Sequence, residues 1–181
     1  MDPGDELVDL VDEEGRVIGT VTRREMRANL LLHRCTYVIV RSSRGDVYVH
    51  RRTDTKDVNP GRYDVTAGGV CASRESYDDC AARELEEELG IAGAPLHFLF
   101  THHHEGPDGR VLGAAYEAEW DGPIRHQESE VAWGAFVGLG ELRRMLEDLD
   151  FCPDGREVFE RWLSERGLPT AGRPGDPNPP A

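Results

Sequence analysis

The sequence predicts a single α+β domain, on three observations. Short alternating, β-branched segments come first, a strongly patterned helix spans Ser76 to Leu89, and further strands and two more helices follow. That order also fits a three-layer sandwich. At 181 residues, 38% hydrophobic and 31% charged, the chain suits one globular domain with a substantial core. We set that domain at residues 1–169 and expect a disordered, Pro/Gly-rich tail over residues 170–181.

The elements read in order as follows. Residues 6–21 form a hairpin: Leu7 to Val11 turns through Glu13-Glu14-Gly15 into Val17 to Val21. Thr22 caps a short helix from Arg23 to Asn29, and an apolar Leu30-Leu31-Leu32 follows. Thr36 to Arg41 and Val47 to Val49 flank the turn residues Ser42 to Gly45 and predict a second hairpin. Asn59-Pro60-Gly61 marks a loop, and Tyr63 to Val70 is a short strand broken by Gly68-Gly69.

Ser76 and Asp79 make a start resembling a capping box, while Gly90 is a stop signal. Between them Ala81, Ala82, Leu85 and Leu89 fall in one helical stripe. Leu96 to Phe100 and Val111 to Trp120 are strands around Gly106-Pro107-Asp108-Gly109. Val131 to Val137 is the last strand, and Glu141 to Asp148 and Glu157 to Arg166 are helices.

Charge narrows the function. A net charge of −14 argues against a nucleic-acid polymer as partner, because phosphate backbones need a concentrated positive face. Lys56 is the only lysine, so arginine supplies nearly all the positive charge. The acidic start, Met1 to Glu6, lacks the basic-then-apolar pattern of a secretory signal, and no run of 18 apolar residues is present. The expectation is a cytoplasmic protein with no membrane partner. Cys35, Cys71, Cys80 and Cys152 show neither CxxC nor zinc-site spacing, and Cys35 reads as a buried reduced thiol.

The chemistry concentrates at Glu84, Glu87 and Glu88. Spacings of i, i+3 and i+4 bring the three carboxylates to one helical face, away from the apolar stripe. Like charges so placed repel by about 0.2–0.5 kcal/mol per pair, and the helix C-terminus disfavours anions further. A hard divalent cation, Mg²⁺ or Mn²⁺, reverses that sign. A solvated acidic helix face is the bland alternative.

The segment GVCASRESYDDCAARELEEELGI, residues 69–91, resembles the Nudix box, G-x5-E-x7-R-E-U-x-E-E-x-G-U with U aliphatic. Gly69, Glu75, Arg83, Glu84, Leu85, Glu87, Glu88, Gly90 and Ile91 all match. The resemblance implies an α/β/α sandwich with a mixed sheet, and a hydrolase of acid anhydrides, a pyrophosphatase acting on a nucleoside diphosphate derivative. It implies metal ligation by Glu84, Glu87 and Glu88 with a carbonyl at Gly69, and an orienting ion pair of Glu75 with Arg83. Catalysis then falls to the box glutamates Glu87 and Glu88, with Glu128 or Glu130 in Gln127 to Val131 as outside general bases. A homodimer is a further implication.

Leu31 to Arg34, Asn59 to Asp64 and the hairpin Val11 to Gly19 are similar to the subgroup that contains isopentenyl-diphosphate isomerase. Gly68 and Val70 stand where that isomerase needs a cysteine and a histidine. The likeness is therefore to the hydrolases of the subgroup, with the isomerase and a non-catalytic nucleotide-binding module as alternatives. Arg51, Arg52 and His33 are candidates for diphosphate contact; surface arginines and a strand-entry histidine are the plain readings. His102-His103-His104 cannot all bind one ion on a regular strand, since neighbours alternate faces, so we read them as hairpin-end residues. Trp120 and Trp133 read as core or partner-facing.

Overall fold

The computed structural model describes residues 2–170, so nearly all of the expected tail lies outside the described residues. The strands are β1 (Leu7–Val11), β2 (Val17–Thr22), β3 (Leu32–Arg41), β4 (Val47–Arg52), β5 (Tyr63–Asp64), β6 (His97–Gly106), β7 (Gly109–Glu119) and β8 (Val131–Val137). The helices are α1 (Arg23–Ala28), α2 (Tyr77–Leu89), α3 (Leu139–Asp148) and α4 (Pro153–Glu165). None of the described helices is long and apolar enough to cross a membrane.

Strand β3 organises the domain. Its residues alternate across the sheet: Val38 and Val40 pack with Ala81, Leu85 and Leu89 of α2, while Tyr37 and Ile39 pack with Leu142 of α3 and Phe159 of α4. Both faces of the sheet are thus covered, giving α/β/α layers. β3 runs parallel to β7 from Leu32↔Arg110 to Arg41↔Glu119, and the other strand pairs are antiparallel, so the sheet is mixed.

The expected second hairpin is corrected in one respect. β3 and β4 pair only at Arg41↔Val47, after which β4 continues against β8 and β5. Burial explains the choice: Cys35 to Val40 are all buried, a continuous apolar run suited to a central strand covered on both faces. The expected strand from Tyr63 to Val70 is also shorter. After Asp64 the chain meets β3 only through the bridges Val38↔Ala67 and Cys35↔Val70. Gly68 passes so close to β3 that a Cβ there would fall 2.0 Å from the Thr36 carbonyl oxygen. The wedge where β3 and β4 part is where the cavity described below opens.

Helix α2 begins and ends where its local chemistry dictates. The Ser76 side chain accepts a hydrogen bond from the Asp79 amide at 3.1 Å, and its hydroxyl donates to the Asp79 carboxylate at 2.7 Å. Gly90 terminates the helix in the left-handed region at φ 67°.

Candidate active site

Packing of the Ala81–Leu85–Leu89 stripe sets the rotation of α2 and carries the glutamates to the wedge. A cavity of about 320 Å³ opens there. Glu84, Glu87 and Glu88 all line it, with Gly68, Gly69 and Arg83. Glu84 and Glu88 are only 8% and 4% exposed, whereas Glu87 is exposed. Two carboxylates are therefore sequestered rather than solvated, which the bland reading of an acidic helix face does not accommodate.

Burial pushes the Glu88 carboxyl well above the usual carboxylate range, the charges of Glu84 and Glu130 add to this, and the Gly68 amide, donating at 3.2 Å, offsets part of it. Burial likewise raises Glu84, against the Arg83 charge beside it. Gly69 leaves room for this arrangement, since a Cβ there would meet Glu84 Oε1 at 2.7 Å. The Gly69 carbonyl accepts from the Thr36 amide at 2.9 Å and, more weakly, from the Cys80 thiol at 3.7 Å, a contact a cation would have to displace.

Arg83 holds the wall together. Its Nε and Nη2 donate to the two Glu75 oxygens at 2.7 and 2.9 Å, a bidentate fork. Its Nη1 reaches Glu84 at 2.8 Å and Glu87 at 3.1 Å. Glu75 in turn accepts from the Ala72 amide at 2.8 Å, tying the preceding loop to the helix. Three carboxylates and a backbone carbonyl lining one cavity form an all-oxygen donor set, which suits a hard divalent cation. Glu84, Glu87, Glu88 and Gly69 are the residues able to hold it.

The cavity lining also has a basic part. Arg23 and Arg27 from α1, Arg52 at the end of β4 and Lys56 line the same cavity. The Nε atoms of Arg23, Arg27 and Arg52 are buried without a hydrogen-bond partner. Sequence reasoning passed over Arg23 and Arg27; their i, i+4 spacing on a short helix was the available signal. The inner wall carries Tyr37, Asp64, Cys152, Asp154, His104 and Asp108. Tyr37 donates to Asp154 at 3.0 Å, and burial raises the carboxyls of Asp64 and Asp154. Of these inner-wall residues, the sequence had named His104, in the histidine triplet, and Cys152, as a cysteine outside any zinc-site spacing; it assigned neither to this cavity.

The remaining sequence candidates are placed as follows. His33 is buried in the cavity wall with Nδ1 2.9 Å from the Leu31 carbonyl, and burial lowers its pKa, favouring the neutral ring. Arg52 lines the cavity and bonds the Val58 carbonyl, whereas Arg51 is away from the lining and pairs with Asp54 at 2.7 Å. Glu130 lines the cavity and pairs with Lys56 at 2.8 Å; Glu128 is exposed and away from it. Trp133 is exposed beside Tyr63, and Trp120 packs against the α2 face of the core. The histidine triplet lies within β6 rather than at its end, because that strand runs to Gly106. The four cysteines are buried and free.

Comparison with known proteins agrees with this geometry. The NUDIX domain model matches residues 31–162. An uncharacterized Nudix hydrolase of Streptomyces coelicolor is 43% identical over 177 residues, covering 97% of this chain and 98% of its own length. The crystal structure of DR0079 from Deinococcus radiodurans superposes with a TM-score of 0.75 at 24% identity, covering 86% of this chain and 98% of the other. The NUDIX domain of Shewanella oneidensis NrtR, solved with ADP ribose, gives a TM-score of 0.62 at 15% identity, covering 81% and 99%. With the box glutamates lining one cavity and the domain matched over most of its length, the chain belongs to the Nudix family of hydrolases, which act on phosphorus-containing acid anhydrides.

Proposed function

We propose that the protein hydrolyses the diphosphate linkage of a nucleoside diphosphate derivative or a similar small molecule, with Mg²⁺ or Mn²⁺ held by Glu84, Glu87, Glu88 and the Gly69 carbonyl. One observation carries this reading: two buried box glutamates share a single cavity with Arg23, Arg27 and Arg52. An acidic wall matches a divalent cation and a basic wall matches diphosphate oxygens. When bound, the cation supplies Lewis-acid polarisation of the phosphoryl group and charge neutralisation.

The chain's own residues do the rest. Arg27 and Arg52 orient the diphosphate, and their unpartnered Nε–H groups are free to donate to its oxygens. Arg83 and Glu75 keep Glu84 and Glu87 in place. Glu130, steadied by Lys56, accepts the proton of the attacking water as its oxygen bonds to phosphorus and the bridging P–O bond breaks on the opposite side. Burial of the reacting groups strengthens each of these interactions.

A small-molecule partner, a cytoplasmic setting and a homodimer belong to the same proposal. The test is a screen of diphosphate compounds, ADP-ribose and isopentenyl diphosphate among them, with Mg²⁺ or Mn²⁺. Metal-dependent release of monophosphates supports the hydrolase. Double-bond migration without phosphate release establishes the isomerase, and tight binding without turnover establishes the binding module.

A further inference from the structure

Strand alternation divides the histidine triplet. His103 takes one face of β6, its Nε2 3.5 Å from Glu13, and His102 and His104 take the other. Helix α4 crosses that second face and places Glu157 against both rings. Glu157 Oε2 lies 3.0 Å from His104 Nδ1 and 3.2 Å from His102 Nε2. One ligand atom from each of the three residues lies within 4.8 Å of the others.

The contacts are awkward for a neutral hydrogen-bonded cluster. His104 presents Nδ1 to Glu157 and Nε2, at 3.3 Å, to Asp108 Oδ1. A neutral imidazole has one N–H and cannot donate to both carboxylates. His102 Nε2 is buried and, despite its nearness to Glu157, makes no hydrogen bond. The arrangement asks for a positive charge between the rings and the carboxylate, which either a protonated His104 or a bound cation supplies.

A metal ion meets that demand with the right spacing. Bonds of about 2.1 Å in a tetrahedral site set the ligand atoms about 3.4 Å apart, close to the 3.2 and 3.0 Å from Glu157 Oε2 to the His102 and His104 nitrogens. With Nδ1 given to the ion, His104 donates Nε2–H to Asp108, the carboxylate–histidine–metal relay that orients ligating imidazoles. Two imidazoles and one carboxylate prefer a borderline cation over Mg²⁺. Glu157, half exposed, provides the entry path.

We propose that His102, His104 and Glu157 form a second metal site, taking Zn²⁺ or a similar borderline divalent ion with solvent as the fourth ligand. The site is separate from the glutamate helix. It stands in the inner wall of the same cavity, which His104 and Asp154, one turn before Glu157 on α4, both line. Joining α4 to β6, the ion braces that wall.

The test titrates the chelator-treated full chain with Zn²⁺ alone, in the presence of excess Mg²⁺, while the histidine ring nitrogens are followed by NMR. One equivalent of zinc is expected to move the His102 and His104 signals and leave His33 and His103 in place. Glu157→Gln, at a half-exposed position that does not threaten folding, is expected to weaken zinc binding at least tenfold. His102→Gln with His104→Gln is expected to abolish it, whereas Glu84→Gln with Glu88→Gln leaves it intact. The site is overturned if zinc leaves the two rings unmoved, if Glu157→Gln binds zinc as tightly as wild type, or if the glutamate variant is the one that loses it.

Discussion

The Glu84 carboxylate occupies the space a side chain on Gly69 would need, with Oε1 2.7 Å from the position of such a Cβ. Gly69→Ala therefore displaces Glu84 while leaving the backbone comfortable, since no left-handed dihedral is required there. A shift of about 1 Å in a positioning group costs on the order of 100-fold in rate. We expect kcat/KM to fall at least tenfold with a small change in melting temperature. Equal activity of the variant would place Glu84 outside the machinery.

Glu88 is buried and, among the described residues, has no ion-pair partner. Glu88→Gln keeps an acceptor for the Gly68 amide and removes a buried charge. In chelator-treated protein the variant should melt higher than wild type by roughly 2–4 °C per kcal/mol gained. Metal-dependent turnover should be abolished. Calorimetry and a turnover assay on the same sample check both, and a less stable variant with retained turnover contradicts the assignment.

Glu130 lines the cavity and Glu128 does not. Glu130→Gln should lower kcat by about 10²–10⁴, the range for loss of a general base. Glu128→Gln should match wild type. The kcat of the two variants under saturating metal is the measurement; wild-type turnover in the Glu130 variant would remove that residue from the role of base.

Glu117 on β7 gathers the Trp162 indole at 2.7 Å, Arg41 at 3.2 Å and Arg166. Burial alone would raise its pKa, but the Trp162 hydrogen bond and the charges of Arg166 and Arg41 hold it below its ordinary 4.5. A lowered carboxylate pKa adds stability that is complete above the unfolded value and lost as pH falls through the folded one. Glu117→Gln should cost about 1–3 kcal/mol at pH 7. The gap to wild type should close as pH drops below 4.5, the ordinary value. A gap constant from pH 7 to pH 3 would mean that charge is not its source.

Much of the site was legible because it lies in one continuous stretch. Ser76 and Gly90 bound α2 through hydrogen bonds to near neighbours, and the i, i+3, i+4 spacing of its glutamates follows from helix geometry alone. The Arg83–Glu75 pair, eight residues apart, was legible through the resemblance to the Nudix box. Arg23 and Arg27 were not, because they join the α2 glutamates only in the lining of a cavity that the folded chain creates.

By itself the sequence determined the elements whose causes are local: α2, the first hairpin, β8 and the glutamate cluster. Tertiary structure alone decided that β3 pairs in parallel with β7 instead of completing a hairpin with β4, that Glu84 and Glu88 are buried while Glu87 is not, and that Glu157 meets two histidines more than fifty residues away. The physical reason is range. Caps, turns and periodicity act within a turn or two of backbone, whereas strand partners and cavity walls depend on which distant surfaces bury the most apolar area together.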